Sequence, residues 1–343
     1  MNDIRAMDNK KGMTRKGITS LVIIVSLIIL VTGIALSISL GAKQISLSTV
    51  FGSIFYEKEG INSQIVRDIR IPRAIAAAQV GALLAVSGAI IQGITRNPIA
   101  EPSILGITQG ATFTIAVALA TQKGIGSAGL MIFAFVGASI SGFLVYFISS
   151  RSIKGVDPVK LALAGIALGT LLISLATAIA MYYNLSQQLS FWISGGLTTA
   201  KWSGVKLLFI AGTIGMIASI AISPQITILS LGEEIAVSLG LKTNLIRFLG
   251  IIIVILLSGS AVSVAGNISF VGLIVPQIVR GLVGTDYRYI IPCSVVAGAA
   301  LLVYSDIIAR MINQPYETPI GSLTALLGVP IFIYLVRREN RGL

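Results

Sequence analysis

The chain is 343 residues long, 55% of them hydrophobic and 11% charged, with a formal net charge of +12. Soluble domains are about 25% charged, so this composition excludes a water-soluble enzyme and puts the chain in a bilayer. A single cysteine, Cys293, excludes a disulfide framework, and the lack of histidine removes His-based zinc sites, haem ligation and histidine general bases.

A helix needs about 20 apolar residues to cross the hydrocarbon core, so uncharged stretches mark candidate spans. In chain order they cover residues 17–42, 74–95, 102–122, 124–150, 161–200, 207–232, 248–279, 289–305 and 318–336. The first follows a basic stretch, but 26 uncharged residues without a clear A-x-A site are too many for a signal peptide and read as an uncleaved span. Residues 161–200 exceed one crossing and resolve into a helix, a polar-tipped segment around Asn184 to Ser190 and a further short helix near 189–200. Residues 248–279 break at Gly266-Asn267 into two short helices. The expectation is an all-α polytopic bundle of ten spans, with a tail at 1–16 and one transmembrane domain over 17–343.

An even number of spans puts both termini on one side. With the N-terminus inside, 16 of the 25 basic residues are cytoplasmic and 9 lie outside, as the positive-inside bias requires. The basic pI is then mainly topology, and no nucleic-acid partner is expected. Arg70, Arg73 and Arg310 lie outside near span ends, against that bias, where one reading makes them snorkelling anchors.

Other patterns mean less than they suggest. Gly124, Gly126 and Gly129 spell a dinucleotide fingerprint, but without a strand before it the segment reads as an outside turn. No phosphate-binding P-loop occurs, so any ATP that drives this chain is hydrolysed by another subunit. Small residues four apart, such as Gly81 and Ala85, suit close helix packing in lipid. Pro276, beside Gly272 and Gln277, interrupts a span; broken helices either line substrate paths or are accommodated by their neighbours. Asp306 is the only acid near a span interior, and Arg310 four residues later suggests a local ion pair near the outer end. Carriers driven by ion gradients keep carboxylates at membrane depth, which disfavours that alternative.

Three stretches go further. The first is Arg70-Ile71-Pro72-Arg73, then Val80 to Gly88 with Gln92, then Arg96-Asn97-Pro98-Ile99-Ala100-Glu101-Pro102 through Gly106. The second is Leu231-Gly232-Glu233-Glu234-Ile235-Ala236-Val237-Ser238-Leu239-Gly240. The third is Gly266 to Pro276, with Arg280 and later Asp306, Arg310, Glu317, Pro319, Ile320 and Gly321. In this order and spacing they resemble the FecCD-type permeases, the membrane subunits of bacterial ABC importers for iron-siderophores, haem and cobalamin.

The resemblance implies the type II ABC importer permease fold, in the cytoplasmic membrane, with both termini cytoplasmic. It implies a second permease, identical or paralogous, two cytoplasmic ATPase subunits that use ATP and Mg, and an extracytoplasmic binding protein. Ferric siderophores are the expected substrate, with haem or cobalamin as the alternative. No catalytic, cofactor or metal residue is assigned to this chain.

By the same resemblance Arg70, Arg73 and Arg310 meet glutamates of the binding protein, with Asp306 and Glu317 orienting Arg310. Leu231, Gly232, Glu233, Glu234, Ala236, Leu239 and Gly240 form a helix coupled to the ATPase, within a loop at about 224–246, its early acids suiting the helix dipole. Trp192, Gly195 and Gly196 fall near the outer mouth, as a gate or as an interfacial packing site; Gly272, Pro276 and Gln277, singled out by the interrupted span and not by the resemblance, are candidates for the pathway or for accommodated packing. Asn97, Pro98, Glu101 and Pro102 read as a rigid structural turn on the cytoplasmic side. Many relatives carry histidine where this chain has Gln277, which does not titrate near neutral pH.

Overall fold

The computed structural model describes residues 14–41, 45, 50–53, 60–122, 124–150, 158–314 and 316–339. The tail to residue 13, and the basic residues Arg5, Lys10, Lys11, Lys43, Lys58, Lys123, Arg151, Lys154 and Arg341, lie outside the described residues. All regular structure among the described residues is helical. The long helices are α1 (Arg15–Ser39), α2 (Ile71–Thr95), α3 (Ile107–Thr121), α4 (Ser127–Ser150) and α5 (Pro158–Tyr182). After a short α6 (Ser186–Ser194) come α7 (Trp202–Ser230), a six-residue α8 (Glu233–Ser238), α9 (Thr243–Ala265), α10 (Val271–Val283), α11 (Tyr287–Met311) and α12 (Ile320–Glu339).

Among the described residues seven helices are long and apolar enough to cross a membrane, and shorter apolar helices at Ile107–Thr121, Val271–Val283 and Ile320–Ile333 bring the number to ten. The expected break at Gly266-Asn267 is present, with Gly266 in the left-handed region at φ 66°. It separates a full-length α9 of 23 residues from a half-length α10 of 13, rather than two short helices. The short extra helix lies at Ser186–Ser194, slightly earlier than expected, after a turn with Asn184 at φ 56°. The segment between α7 and α9 is shorter than the loop at 224–246, because α7 continues through Pro224 to Ser230.

Uncharged stretches understate the helices wherever a charge is paired inside the bundle. A helical turn at Ile61–Gln64 and a π-helical turn at Ile65–Arg70 run straight into α2, a continuous 35-residue helix. Arg70 and Arg73, which cut the sequence stretch short at 74, sit within it and are buried.

α2 and α9 are the most enclosed helices, while α1 and α5 leave most of their apolar surface uncovered. α2 is packed by glycines. A Cβ on Gly81 would strike the Gly298 carbonyl of α11, and one on Gly88 would strike the Gly272 carbonyl of α10. Ala85 completes the Gly81 contact against Gly298, so the four-residue small spacing is used as helix packing. Gly124 and Gly126 of the glycine fingerprint fall in the turn between α3 and α4, with Gly124 at φ 83°, Gly129 lies in the first turn of α4, and no strand precedes them among the described residues.

Gly88→Ala is expected to lower stability by about 1–3 kcal/mol through overpacking against backbone that cannot swing aside. Gly281→Ala in exposed α10 backbone, with no atom near its Cβ, is expected to raise stability by about 0.5–1 kcal/mol. Unfolding curves of the purified protein in detergent check both signs.

Candidate functional site

Four polar clusters stand out among the described residues. At one end, the last turn of α1 leaves carbonyls without intrahelical donors, and two arginines supply them. Arg70 Nη1 donates to Ile38 O at 2.7 Å and Ser39 O at 2.8 Å. Arg310 donates to Ser37 O at 3.2 Å and to Ser37 Oγ at 2.7 Å. Arg73 is clamped by acids instead: Nε and Nη2 reach Asp306 Oδ1 at 3.0 and 2.9 Å, and Nη1 reaches Glu317 Oε1 at 2.7 Å. Asp306 Oδ2 lies 3.1 Å from Arg310 Nη2, so one fully buried carboxylate serves two guanidinium groups.

The expected Asp306–Arg310 pair is therefore present, but Glu317 holds Arg73 rather than Arg310. All three arginines are below 10% exposed. Each is hydrogen-bonded or ion-paired within the chain. Glu317 is their outward member, with its second oxygen accepting from Thr198 Oγ1 at 3.2 Å.

The second cluster lies at the opposite end. Gly232 at φ 132° and Gly240 at φ 76° bound α8, as the sequence suggests. Leu231, Ile235, Val237 and Leu239 present an exposed apolar face beside exposed Glu234, while Ala236 points inward and is fully buried. Glu233 is tied back: Arg247 donates to both its oxygens at 3.2 and 3.0 Å, and Arg96 lies 3.7 Å away. Hydrogen bonding from Arg247 holds the Glu233 carboxyl below the usual carboxylate range. The sequence does not announce this tether, since Arg247 is 14 residues away across a turn.

The third cluster surrounds the break before α10. Asn97 to Pro102 turn the chain as expected, Ala100 N donating to Asn97 O at 3.1 Å, and the same segment reaches back to α10. Arg96 enters it at φ 53° and Gly106 leaves it at φ 66°. Gln277 donates to Pro98 O at 2.6 Å and Gln92 Oε1 at 2.9 Å, while Gln92 Nε2 donates to Gly272 O and Leu273 O, both at 3.2 Å. Glu101 Oε1 accepts from Phe270 N at 2.5 Å. Gly272 packs on Gly88, seven residues before Thr95, or about 10 Å along α2. A second acid besides Asp306 thus lies inside the bundle, carried there by a loop that the charge pattern assigned to one surface.

The fourth cluster is a cavity of about 410 Å³ between α3, α5 and the Glu101 segment. Thr108, Gln109, Thr112, Thr170, Ser103 and Asn267 bring polar groups to it beside isoleucines from α5 and α6. No charged side chain lines it. Trp192, Gly195, Gly272, Pro276 and Gln277, expected at a pathway or gate, are not among its lining residues. Trp192 and Gly195 instead make backbone junctions: a Cβ on Gly195 would strike Asn267 O, and Gly196 N donates to Ala265 O at 2.8 Å. Gly272 and Pro276 are buried in helix packing, and Gln277 belongs to the Gln92–Pro98 network.

Residues 28–338 match the model of the FecCD transport family. The chain is 51% identical over 324 residues to the iron(3+)-hydroxamate import system permease protein of Bacillus subtilis, covering 94% of this chain and 84% of that one. It is 42% identical to an iron-uptake system permease protein of the same organism, covering 96% and 98%. Among solved structures, one described as a metal-chelate type ABC transporter in an inward-facing conformation superposes with a TM-score of 0.82 at 29% identity, covering 93% of this chain and 99% of that one.

Asp306→Ala leaves Arg73 and Arg310 without their shared buried anion and is expected to cost about 3–5 kcal/mol. Glu317→Gln, at a side chain 37% exposed, is expected to cost under about 1 kcal/mol. Denaturant unfolding in detergent separates the two, and equal costs would refute this assignment of weight within the cluster.

Proposed function

The chain belongs to the FecCD transport family and is a multi-pass permease of the ABC-importer kind, and from that premise we propose that it carries ferric siderophore complexes inward across the cytoplasmic membrane. The observation that supports this substrate most is the 51% identity with the hydroxamate permease over nearly the whole chain. The 410 Å³ cavity agrees chemically. Its threonine, serine, glutamine and asparagine groups, interleaved with isoleucine, give a bulky polar complex many weak contacts and no deep electrostatic trap. Net transport requires such weak holding, because a bound complex must also leave.

The rest of the importer follows from the same reading. Two permease subunits enclose the path, and the thinly covered α5 offers a second one apolar surface. The exposed face of α8 docks a cytoplasmic ATPase that uses ATP and Mg, with both termini of this chain on that side. The opposite face docks the extracytoplasmic binding protein. There Arg70, Arg73 and Arg310 act as the frame of the docking surface, fixing α1, α2 and α11 beneath it, and Glu317 is the cluster's outward charge.

In proteoliposomes containing the permease, its ATPase and its binding protein, uptake of a ferric tris-hydroxamate is expected to depend on ATP on the ATPase side. Uptake by the permease alone under an ion gradient would overturn this mechanism. Gly240→Trp forces a bulky side chain onto a left-handed position at the end of α8. It is expected to reduce ATP-driven uptake at least about tenfold with membrane insertion unchanged, and undiminished uptake would remove α8 from the coupling path.

A further inference from the structure

Phe270 is the first residue of α10's helical cap, and it has an unusual conformation for a residue with a side chain, φ 69°. Such a conformation is strained for a bulky residue and persists only where surroundings enforce it. Two contacts do so here. The Phe270 ring packs on Gly328 of α12, where a Cβ would overlap it, and the Phe270 amide donates to Glu101 Oε1. None of α10's own side chains caps this end, so the cap arrives from a segment 169 residues earlier.

We propose that Glu101 is a positioning residue for transport: it latches segment 97–106 to the start of α10, so that both move as one unit during the transport cycle.

The geometry on either side of the latch gives it this role. The segment's entry residue, Arg96, lies within ion-pair distance of Glu233 on α8, the face assigned to the ATPase. Its far side is cavity wall, through Ser103 and Ile104. Its inner side meets α10 at Pro98 O, Glu101 and Pro102, the last against Gly272. A displacement of α8 therefore reaches the cavity wall and the α9–α10 break through the same few residues. The Gln277–Pro98 bond joins a backbone carbonyl to α10's second turn; Glu101 joins the segment to the strained residue that caps α10. Asn267, next to that break, also lines the cavity, so a fixed Phe270 fixes one of the cavity's polar groups.

The latch needs reach and an acceptor oxygen, not a negative charge. Glutamine offers both, and its amide nitrogen would meet Ser103 Oγ, which can accept. Aspartate keeps the charge and falls one methylene short. These two variants discriminate the proposal without a large change in volume. It rests on the importer reading above, and the wild-type complex tests that reading first: ATP-driven uptake of the ferric tris-hydroxamate must be seen before the variants are compared.

With that control positive, Glu101→Gln is expected to keep the number of complexes transported per ATP within about threefold of wild type. Glu101→Asp is expected to lower it about tenfold, in the range that loss of a helix cap produces. Hydrogen exchange on the solubilised permease alone gives a second readout that does not depend on substrate. Amides at 268–274 should exchange faster in Glu101→Asp and Glu101→Ala, and as in wild type in Glu101→Gln. Retention of transport by aspartate with loss by glutamine would mean that charge matters, and would overturn the latch. So would wild-type coupling and exchange in all three variants.

Discussion

A guanidinium group taken out of water must find acceptors, and a helix end inside a bundle must find donors. The arginine cluster satisfies both demands with the same atoms. Arg70 and Arg310 take the orphan carbonyls at the end of α1, where the helix dipole is negative and a cation is favoured. Asp306, wholly buried, balances Arg73 and Arg310 together. Three helices, α1, α2 and α11, are fixed in register at one level. In lipid, where apolar contact alone gives little preference for one helix neighbour over another, this is a strong source of order. Removing one member leaves the others charged and buried, which is why the cluster behaves as a unit.

Below that level the organising contact is backbone on backbone. Gly81, Gly88, Gly272 and Gly298 let α2, α10 and α11 approach until carbonyls replace side chains as the packing surface. Close approach has a consequence for polar chemistry. Gln92 reaches the carbonyls of Gly272 and Leu273, groups in the first turn of a helix that starts inside the bundle. Gln277 extends this network to Pro98. A histidine at 277 could also donate there, so glutamine preserves the structural bond while leaving no group that titrates near neutral pH. The half-length α10 and the returning segment 97–106 depend on each other, since each offers what the other's backbone lacks.

The two ends of the molecule differ in what they leave exposed. The arginine end turns Arg70, Arg73 and Arg310 inward and leaves Glu317, Asp68 and Lys201 exposed. The α8 end turns its ion pair inward, at Glu233 and Arg247, and shows an apolar face. Both arrangements hold a surface rigid from beneath. Under the proposed importer function rigidity suits both faces, because a docking surface that yields absorbs the motion it should transmit.

The sequence by itself determined the helical class, the ten spans, the break at Gly266 and the glycine-bounded α8. Each is a local consequence of apolar run length or of a residue's own backbone freedom. It also singled out Arg70, Arg73 and Arg310 by their position against the charge bias. What it left open was where their charges point. Arg73 finds Asp306 233 residues away, and Arg310 finds Ser37 273 residues away; no periodicity carries such a distance. The same holds for Glu101, which pattern assigned to a turn at the surface and which folding delivers to Phe270. Hydrophobic period and charge side are properties of a segment. The partner of a buried charge is a property of the packed bundle, decided only when helices remote in sequence close around it and exclude every other acceptor.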